Sequence, residues 1–230
     1  SPWHDVLVSS NQYKQKKSAV KNKYNPRVSV LVPAWNEEGG VVTTVEALLG
    51  STYKNMEIIV IDNGSEEPPP SSKDYRLIKN KENLGFAKAN NQSMKVAKGE
   101  YVLLLNSDTE VKKGSIDKLY EFAKAKRDVG VVAPRLLNPD GSVQGSVFLT
   151  PTIWRNIRQY FFGEEKLLTK YVPDGESPQN VEIVSTAAFM ITPAALKKVG
   201  FLSEKYFMFF EEFDYCRRVK EKGLKIVYFP

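Results

Sequence analysis

Tyr101-Val102-Leu103-Leu104-Leu105-Asn106-Ser107-Asp108-Thr109-Glu110-Val111 is the stretch on which the reading of the fold turns. Its apolar residues run unbroken from Val102 to Leu105 and stop at Asn106, Ser107 and Asp108. A short apolar run without alternation, closed by polar residues, predicts a strand buried on both faces, as in parallel sheets. Ligands of open α/β sheets bind beyond the carboxyl ends of the strands. Asp108 then stands at the mouth of a site, where a carboxylate can hold a hard divalent cation together with substrate phosphates. The same residues also read as a plain strand-to-helix loop in which Asp108 or Thr109 caps the next helix.

The pattern repeats on either side. Residues 28–32 form a short apolar run closed by Pro33; the acidic loop Ala34-Trp35-Asn36-Glu37-Glu38-Gly39-Gly40 follows, then Val41, Val42, Val45, Leu48 and Leu49 at helical spacing. Residues 56–61 form a second predicted strand, ended by Asp62-Asn63-Gly64-Ser65, which is also common turn chemistry. A short strand at 75–78 precedes an asparagine-rich segment, 80–91, that suits helix caps or a bound sugar or nucleotide. Within it Gly85 supplies positive φ or close backbone approach. Helices are predicted at 87–97 and 113–126, and a strand at 129–133. Asn138-Pro139-Asp140-Gly141 between two apolar stretches signals a hairpin. Strands at 181–184 and 189–191 flank the small residues Ser185-Thr186-Ala187-Ala188, and a helix at 193–199 begins on Pro193. Strands alternating with helices predict an α/β sandwich with a mostly parallel mixed sheet.

Two segments carry further chemistry. Residues 151–162 are aromatic and basic, and read either as core packing or as a lip facing an acceptor or membrane; 163–180 reads as a polar loop. Glu211, Glu212 and Asp214 follow the aromatic run 206–210. A carboxylate beside apolar surface has a raised pKa, as a general base needs. An acidic first helical turn, favoured by the helix dipole, accounts for the same residues without function.

Composition narrows the chemistry. The 230 residues include one cysteine, Cys216, and one histidine, His4, which excludes an internal disulfide, a Cys-rich metal site and a His-based triad. The net charge of +6 comes partly from Lys14, Lys16, Lys17, Lys21 and Lys23, ahead of any clear strand. They read as a solvated tail or as contacts with an anionic membrane, and no nucleic-acid partner is expected. No apolar run approaches the ~20 residues of a transmembrane helix, and no signal-peptide pattern is visible. The expected location is cytoplasmic, with peripheral contact at the inner face of a membrane left open.

Four motifs in order resemble family 2 glycosyltransferases of the GT-A fold, especially the rhamnosyltransferase-like branch. Pro33-Ala34-Trp35-Asn36-Glu37-Glu38 resembles the opening Pro-x-Tyr-Asn-x-Glu loop. Ile61-Asp62-Asn63-Gly64-Ser65 resembles the Asp-Asn/Asp-x-Ser loop. Asn83-Leu84-Gly85-Phe86-Ala87 through Asn90 resembles the Asn-x-Gly segment. Asn106-Ser107-Asp108 resembles the Asp-x-Asp motif with Asn in the first place. The resemblance covers residues 28–230, leaving 1–26 as a basic extension. It implies one GT-A domain over 27–230, with a nucleotide-sugar half at about 27–110 and an acceptor half at about 111–230.

The resemblance also implies roles. Asp62 would accept the base imide N–H and Glu38 would help hold the nucleoside, with Pro33, Trp35, Asn83, Gly85, Asn90 and Asn106 completing the nucleotide-sugar site. Asp108 would bind Mg²⁺ or Mn²⁺ bridging the diphosphate. Phe210-Glu211-Glu212-Phe213-Asp214 resembles the Phe-Glu-Asp-x-Asp segment, whose central acid, Glu212 here, deprotonates the acceptor; Glu211 and Asp214 compete for that role. The expected reaction is inverting transfer of a hexose or deoxyhexose from a UDP- or dTDP-sugar to a glycan or lipid-linked acceptor. A non-catalytic nucleotide- or glycan-binding domain is the alternative from another class. A nucleotidyltransferase would want a Gly-rich basic loop where residues 34–40 are acidic, and a Rossmann dehydrogenase the absent Gly-x-Gly-x-x-Gly.

Overall fold

The computed structural model describes residues 5–8, 27–162 and 169–230. β1 (Asp5–Val8), β2 (Val28–Ala34), α1 (Glu38–Leu49), β3 (Met56–Asp62) and β4 (Arg76–Lys79) come first. They are followed by α2 (Phe86–Val96), β5 (Tyr101–Leu105), β6 (Thr109–Val111) and α3 (Ser115–Ala125). Next are β7 (Val129–Leu137), β8 (Val143–Gln144), β9 (Val147–Phe148) and α4 (Ile153–Phe162). The chain ends with β10 (Gln179–Asn180), β11 (Ile183–Val184), β12 (Ala188–Ile191), α5 (Pro193–Val199), α6 (Glu211–Glu221) and β13 (Lys225–Phe229).

The main sheet runs β10-β13-β7-β12-β5-β2-β3-β4. β5, β2, β3 and β4 are mutually parallel, β13 is parallel to β7, and β12 runs antiparallel between β5 and β7. This is the mostly parallel mixed sheet expected from the sequence. Every residue of β5 is buried, because successive side chains point to opposite faces and both faces are covered. Leu103 and Leu105 join Val30, Val32, Val41, Leu48 and Leu119 in one layer of core. Val102 and Leu104 join Leu31, Ile59, Met94, Phe189 and Tyr215 in the other.

The structure departs from the sequence reading in several places. The reading begins the sheet at residue 28, yet β1 pairs parallel with β6 and antiparallel with β7. The lysines between 14 and 23 lie outside the described residues. In α4, where core packing and an outward lip are the two expectations, three large apolar side chains stay out of the core. Ile153, Trp154 and Phe161 are 78%, 74% and 80% exposed. The helix is tied down through Arg155, whose guanidinium donates to both oxygens of Glu182 (2.9 and 2.8 Å) and to Thr150 O (2.7 Å). Residues 163–168 of the expected polar loop lie outside the described residues; in the remainder Tyr171 bridges to Val147 and β10 pairs with β13. The expected hairpin forms between β7 and β8, with Asn138 N–H donating to Ser142 O (2.9 Å). Among the described residues no helix is long and apolar enough to cross a membrane.

Candidate active site

Strand register sets the site. Ala34 pairs with Asp62 and Leu105 with Ala188, so the loops after β2, β3 and β5 meet the loop before β12 at one edge. Backbone hydrogen bonds stitch them together: Asn63 N–H donates to Ala34 O (2.8 Å) and Asn106 N–H to Ala187 O (3.0 Å). Asn36 adopts φ 54°, a conformation Asn tolerates better than most residues, and from there accepts from Glu66 N–H (2.9 Å). Its own N–H donates to Ser65 Oγ (2.9 Å).

The loop carrying Asp108 is held from below by α1. Thr44 Oγ1 lies 2.8 Å from Ser107 O and 3.0 Å from Thr109 O, and its single proton serves this pair. Gly40 makes the approach possible, since a Cβ there would stand 2.6 Å from Ser107 O. Asp108, Asn106 and Ser107 line a cavity of about 770 Å³, within the usual range for small-ligand sites.

The asparagines around Gly85 form a closed amide network. Asn63 donates to Asn83 Oδ1 (2.8 Å) and accepts from Asn80 Nδ2 (3.0 Å) and Leu84 N–H (3.1 Å). Asn83 also accepts from Gly85 N–H (2.9 Å). Gly85 has both features expected of it: φ is +85°, and an added Cβ would sit 2.3 Å from Phe207 O. Phe86 N–H donates to that same carbonyl (2.9 Å), joining the start of α2 to the aromatic loop 206–210.

That loop and the start of α6 form the other wall. Phe209 and Phe210 both have φ 67°, a genuine strain for bulky side chains, and both line the cavity. Glu211 and Glu212 also line it; both are buried, and Oε2 of each lacks a hydrogen-bond partner. Burial pushes the Glu211 carboxyl up to about 7, with repulsion from Glu212 adding to it. Burial likewise raises Glu212, against the attraction of Lys170, another cavity residue. Asp214 differs. Burial would raise it, but hydrogen bonds from Arg218 (2.7 Å) and Arg217 (2.9 Å) outweigh burial and hold it below the usual carboxylate range.

The sequence model of "Glycosyl transferase family 2" matches residues 29–199. The chain belongs to this family. It is 36% identical to "Glycosyltransferase GlyG" of Streptococcus pneumoniae over 50% of this chain and 40% of that protein. It is 27% identical to the "N-acetylglucosaminyl-diphospho-decaprenol L-rhamnosyltransferase" of Mycobacterium tuberculosis over 78% of this chain and 66% of that one. The chain thus spans less than half the length of the pneumococcal relative and about two thirds of the mycobacterial one. The crystal structure of GalNAc-T7 with UDP, GalNAc and Mn²⁺ superposes with a TM-score of 0.70 over 91% of this chain and 43% of that one, at 16% identity. The fold is GT-A.

Of the residues expected to serve this glycosyltransferase-family site, Pro33, Trp35, Asn83, Asn106, Asp108, Glu211 and Glu212 line the cavity together. Others stand back from its lining. Glu38 is exposed on the first turn of α1, and its neighbour Glu37 lines the cavity instead. Asp62 is buried at the end of β3, where it accepts from Ser65 N–H (3.0 Å), while Asn63 beside it reaches the cavity. Asn90 is fully buried within α2 and donates to Phe86 O (3.0 Å). Gly85 acts through its backbone. Asp214 lies on an adjoining groove. Lys170 has no sequence signal, because only the folded chain brings it to Glu212.

The donor set suits a hard cation. Asp108 and Asn106 present oxygens, and among the described residues no cluster of three or more His, Cys, Asp or Glu could hold a metal alone. A cation would therefore take most of its ligands from diphosphate and water, as Mg²⁺ does.

Proposed function

We propose that this domain transfers a hexose or deoxyhexose, with inversion, from a UDP- or dTDP-sugar to a hydroxyl of a glycan or lipid-linked glycan. The observation that carries the reading is one cavity whose lining brings Asp108 of the sheet-edge loops together with two buried, incompletely bonded carboxylates of α6. Trp35, half exposed at the rim, offers a stacking face for the nucleotide base. The amide network fixes Asn63 and Asn83 so that their orientation costs nothing when the donor arrives.

Asp108, with Asn106, would hold Mg²⁺ or Mn²⁺, which when bound neutralises charge developing on the diphosphate leaving group. The mycobacterial relative's name supports a lipid-linked acceptor and the GalNAc-T7 complex supports a divalent cation beside UDP. Glu212 accepts the proton of the attacking hydroxyl. Its burial keeps the carboxylate poorly solvated and so more basic than in water. Glu211 stands beside it as a second group titrating near neutrality. Asp214, ionised and held by two arginines, orients the first turns of α6 and takes no proton. Phe209 and Phe210, both exposed in the cavity lining, offer apolar surface to the acceptor.

Calorimetric titration of UDP, dTDP, GDP and CDP, each with Mn²⁺ and with EDTA, tests the reading. Binding of UDP or dTDP that disappears with EDTA is expected. A folded sample that binds no nucleotide would leave a degenerate binding domain and withdraw every role above.

A further inference from the structure

The exposed face of α4 has no place in the transfer reaction. Ile153, Trp154 and Phe161 are the most exposed large apolar side chains among the described residues. At 100° per residue they fall within one ~100° sector, with Ile157 between them and Arg158 at its edge. Arg155, which ties the helix to Glu182, points the other way. The apolar face is thus turned outward by a specific ion pair rather than left over by loose packing. The helix carries Arg155 and Arg158 and no acid. Pro151, two residues before it, lines both the main cavity and the adjoining groove, as does Phe210. The start of α4 and the aromatic loop therefore flank one mouth.

We propose that α4 is an interfacial anchor. Its Ile153, Trp154 and Phe161 face enters the headgroup region of an anionic phospholipid bilayer, with the cavity mouth held at that surface. Outward Trp and Phe with Arg158 at the edge of their sector, on a helix too short to span, are the make-up of a helix lying in the membrane plane. The helix has no acid to repel anionic headgroups, and Arg158, outside the Arg155–Glu182 pair, complements them. The proposal deepens the function above, because a lipid-linked acceptor would present its sugar at this surface.

The test sediments the whole chain with vesicles of phosphatidylcholine alone or mixed with phosphatidylglycerol. In parallel, Phe161→Cys carries a polarity-sensitive fluorophore. Cys216 does not compete for the label, being buried with its thiol pushed up to about 12 by that burial. Binding to the anionic vesicles and a blue shift of the reporter are expected. The double variant Trp154→Ala/Phe161→Ala should lose partitioning by roughly tenfold or more, with its thermal melt and its UDP or dTDP titration unchanged. No sedimentation overturns the proposal. So does sedimentation that the double variant leaves intact, which would assign binding to the lysines between 14 and 23. A reporter shift that grows with protein concentration without vesicles would show a second copy covering α4, and overturns it too. Vesicle binding without nucleotide binding would sink the transfer reading and leave this one standing; the reverse result would sink only this one.

Discussion

The two walls of the cavity are built on opposite principles. On the sheet-edge wall most polar groups are matched: Asn63, Asn80 and Asn83 bond one another, Thr44 serves the Ser107 and Thr109 carbonyls, and Asn36 is bonded at both its N–H and its side chain. On the α6 wall two carboxylates are buried with an oxygen of each unmatched, and two adjacent phenylalanines sit at φ 67°. A buried polar atom without a partner costs roughly 1–3 kcal/mol, and a left-handed bulky residue about as much again. The first wall is organised for binding. The second holds groups away from their preferred state, as a base requires.

If that contrast is right, substitutions should divide by wall. The largest effect expected is from Glu212→Gln, which should lower turnover by a factor of roughly 10² or more while leaving nucleotide affinity near that of the parent. Unchanged turnover would move the base to Glu211. Gly85→Ala sits where the walls meet, with φ +85° and Phe207 O only 2.3 Å from the added Cβ. It should cost about 2 kcal/mol in urea unfolding and weaken donor and acceptor binding together. A stability loss with both affinities intact would show that the contact between walls has no functional part. Asp108→Ala should weaken Mn²⁺-dependent nucleotide binding about tenfold or more and leave binding in EDTA unaltered; equal metal dependence in variant and parent would remove the cation from this carboxylate.

Smaller effects refine the α6 side. The Glu211 carboxyl moves from 4.5 to about 7 on folding, so its contribution to stability is fully present below the unfolded value and is lost as pH rises through the folded one. Glu211→Gln removes a charge that burial disfavours. It should therefore melt above the parent at pH ~8, by about 1 kcal/mol once solvent screening is allowed for, and match it near pH ~4. A gain that is the same at both pH values would mean Glu211 is not charged at a cost. Phe209→Gly relieves one left-handed phenylalanine, offset by the greater freedom of glycine in the unfolded chain. The net stability gain should stay under about 1 kcal/mol, with KM for the acceptor raised; a loss of stability would show that the ring's packing outweighs its strain.

Legibility differs between the walls for a physical reason. Loops that end buried strands are read from local punctuation, so Pro33, Trp35, Asn106 and Asp108 were visible in a one-dimensional pattern and are brought together by strand register. Glu37 and Glu38 look alike in sequence; which one reaches the cavity depends on where α1 begins, and it begins at Glu38. Of the three acids of α6, Asp214 has Arg217 and Arg218 at i+3 and i+4 on its own helix, whereas the burial that raises Glu211 and Glu212 comes only with the fold. Segment 151–162 was legible as aromatic and basic, but which way its face turns depends on Glu182, a partner 27 residues along.

The sequence by itself determined the alternation of buried strands and helices, the sheet edge at which the loops gather, and the chemistry available there: carboxylates and amides, with scarcely any histidine or thiol. These follow from short-range pattern and composition. Only the tertiary structure decided which of several equivalent neighbours faces the cavity, that Lys170 meets Glu212, that β1 joins the sheet, and that α4 shows its aromatic side to the outside. Most of those depend on a contact between residues far apart in the chain, whose energy exists only once both are in place.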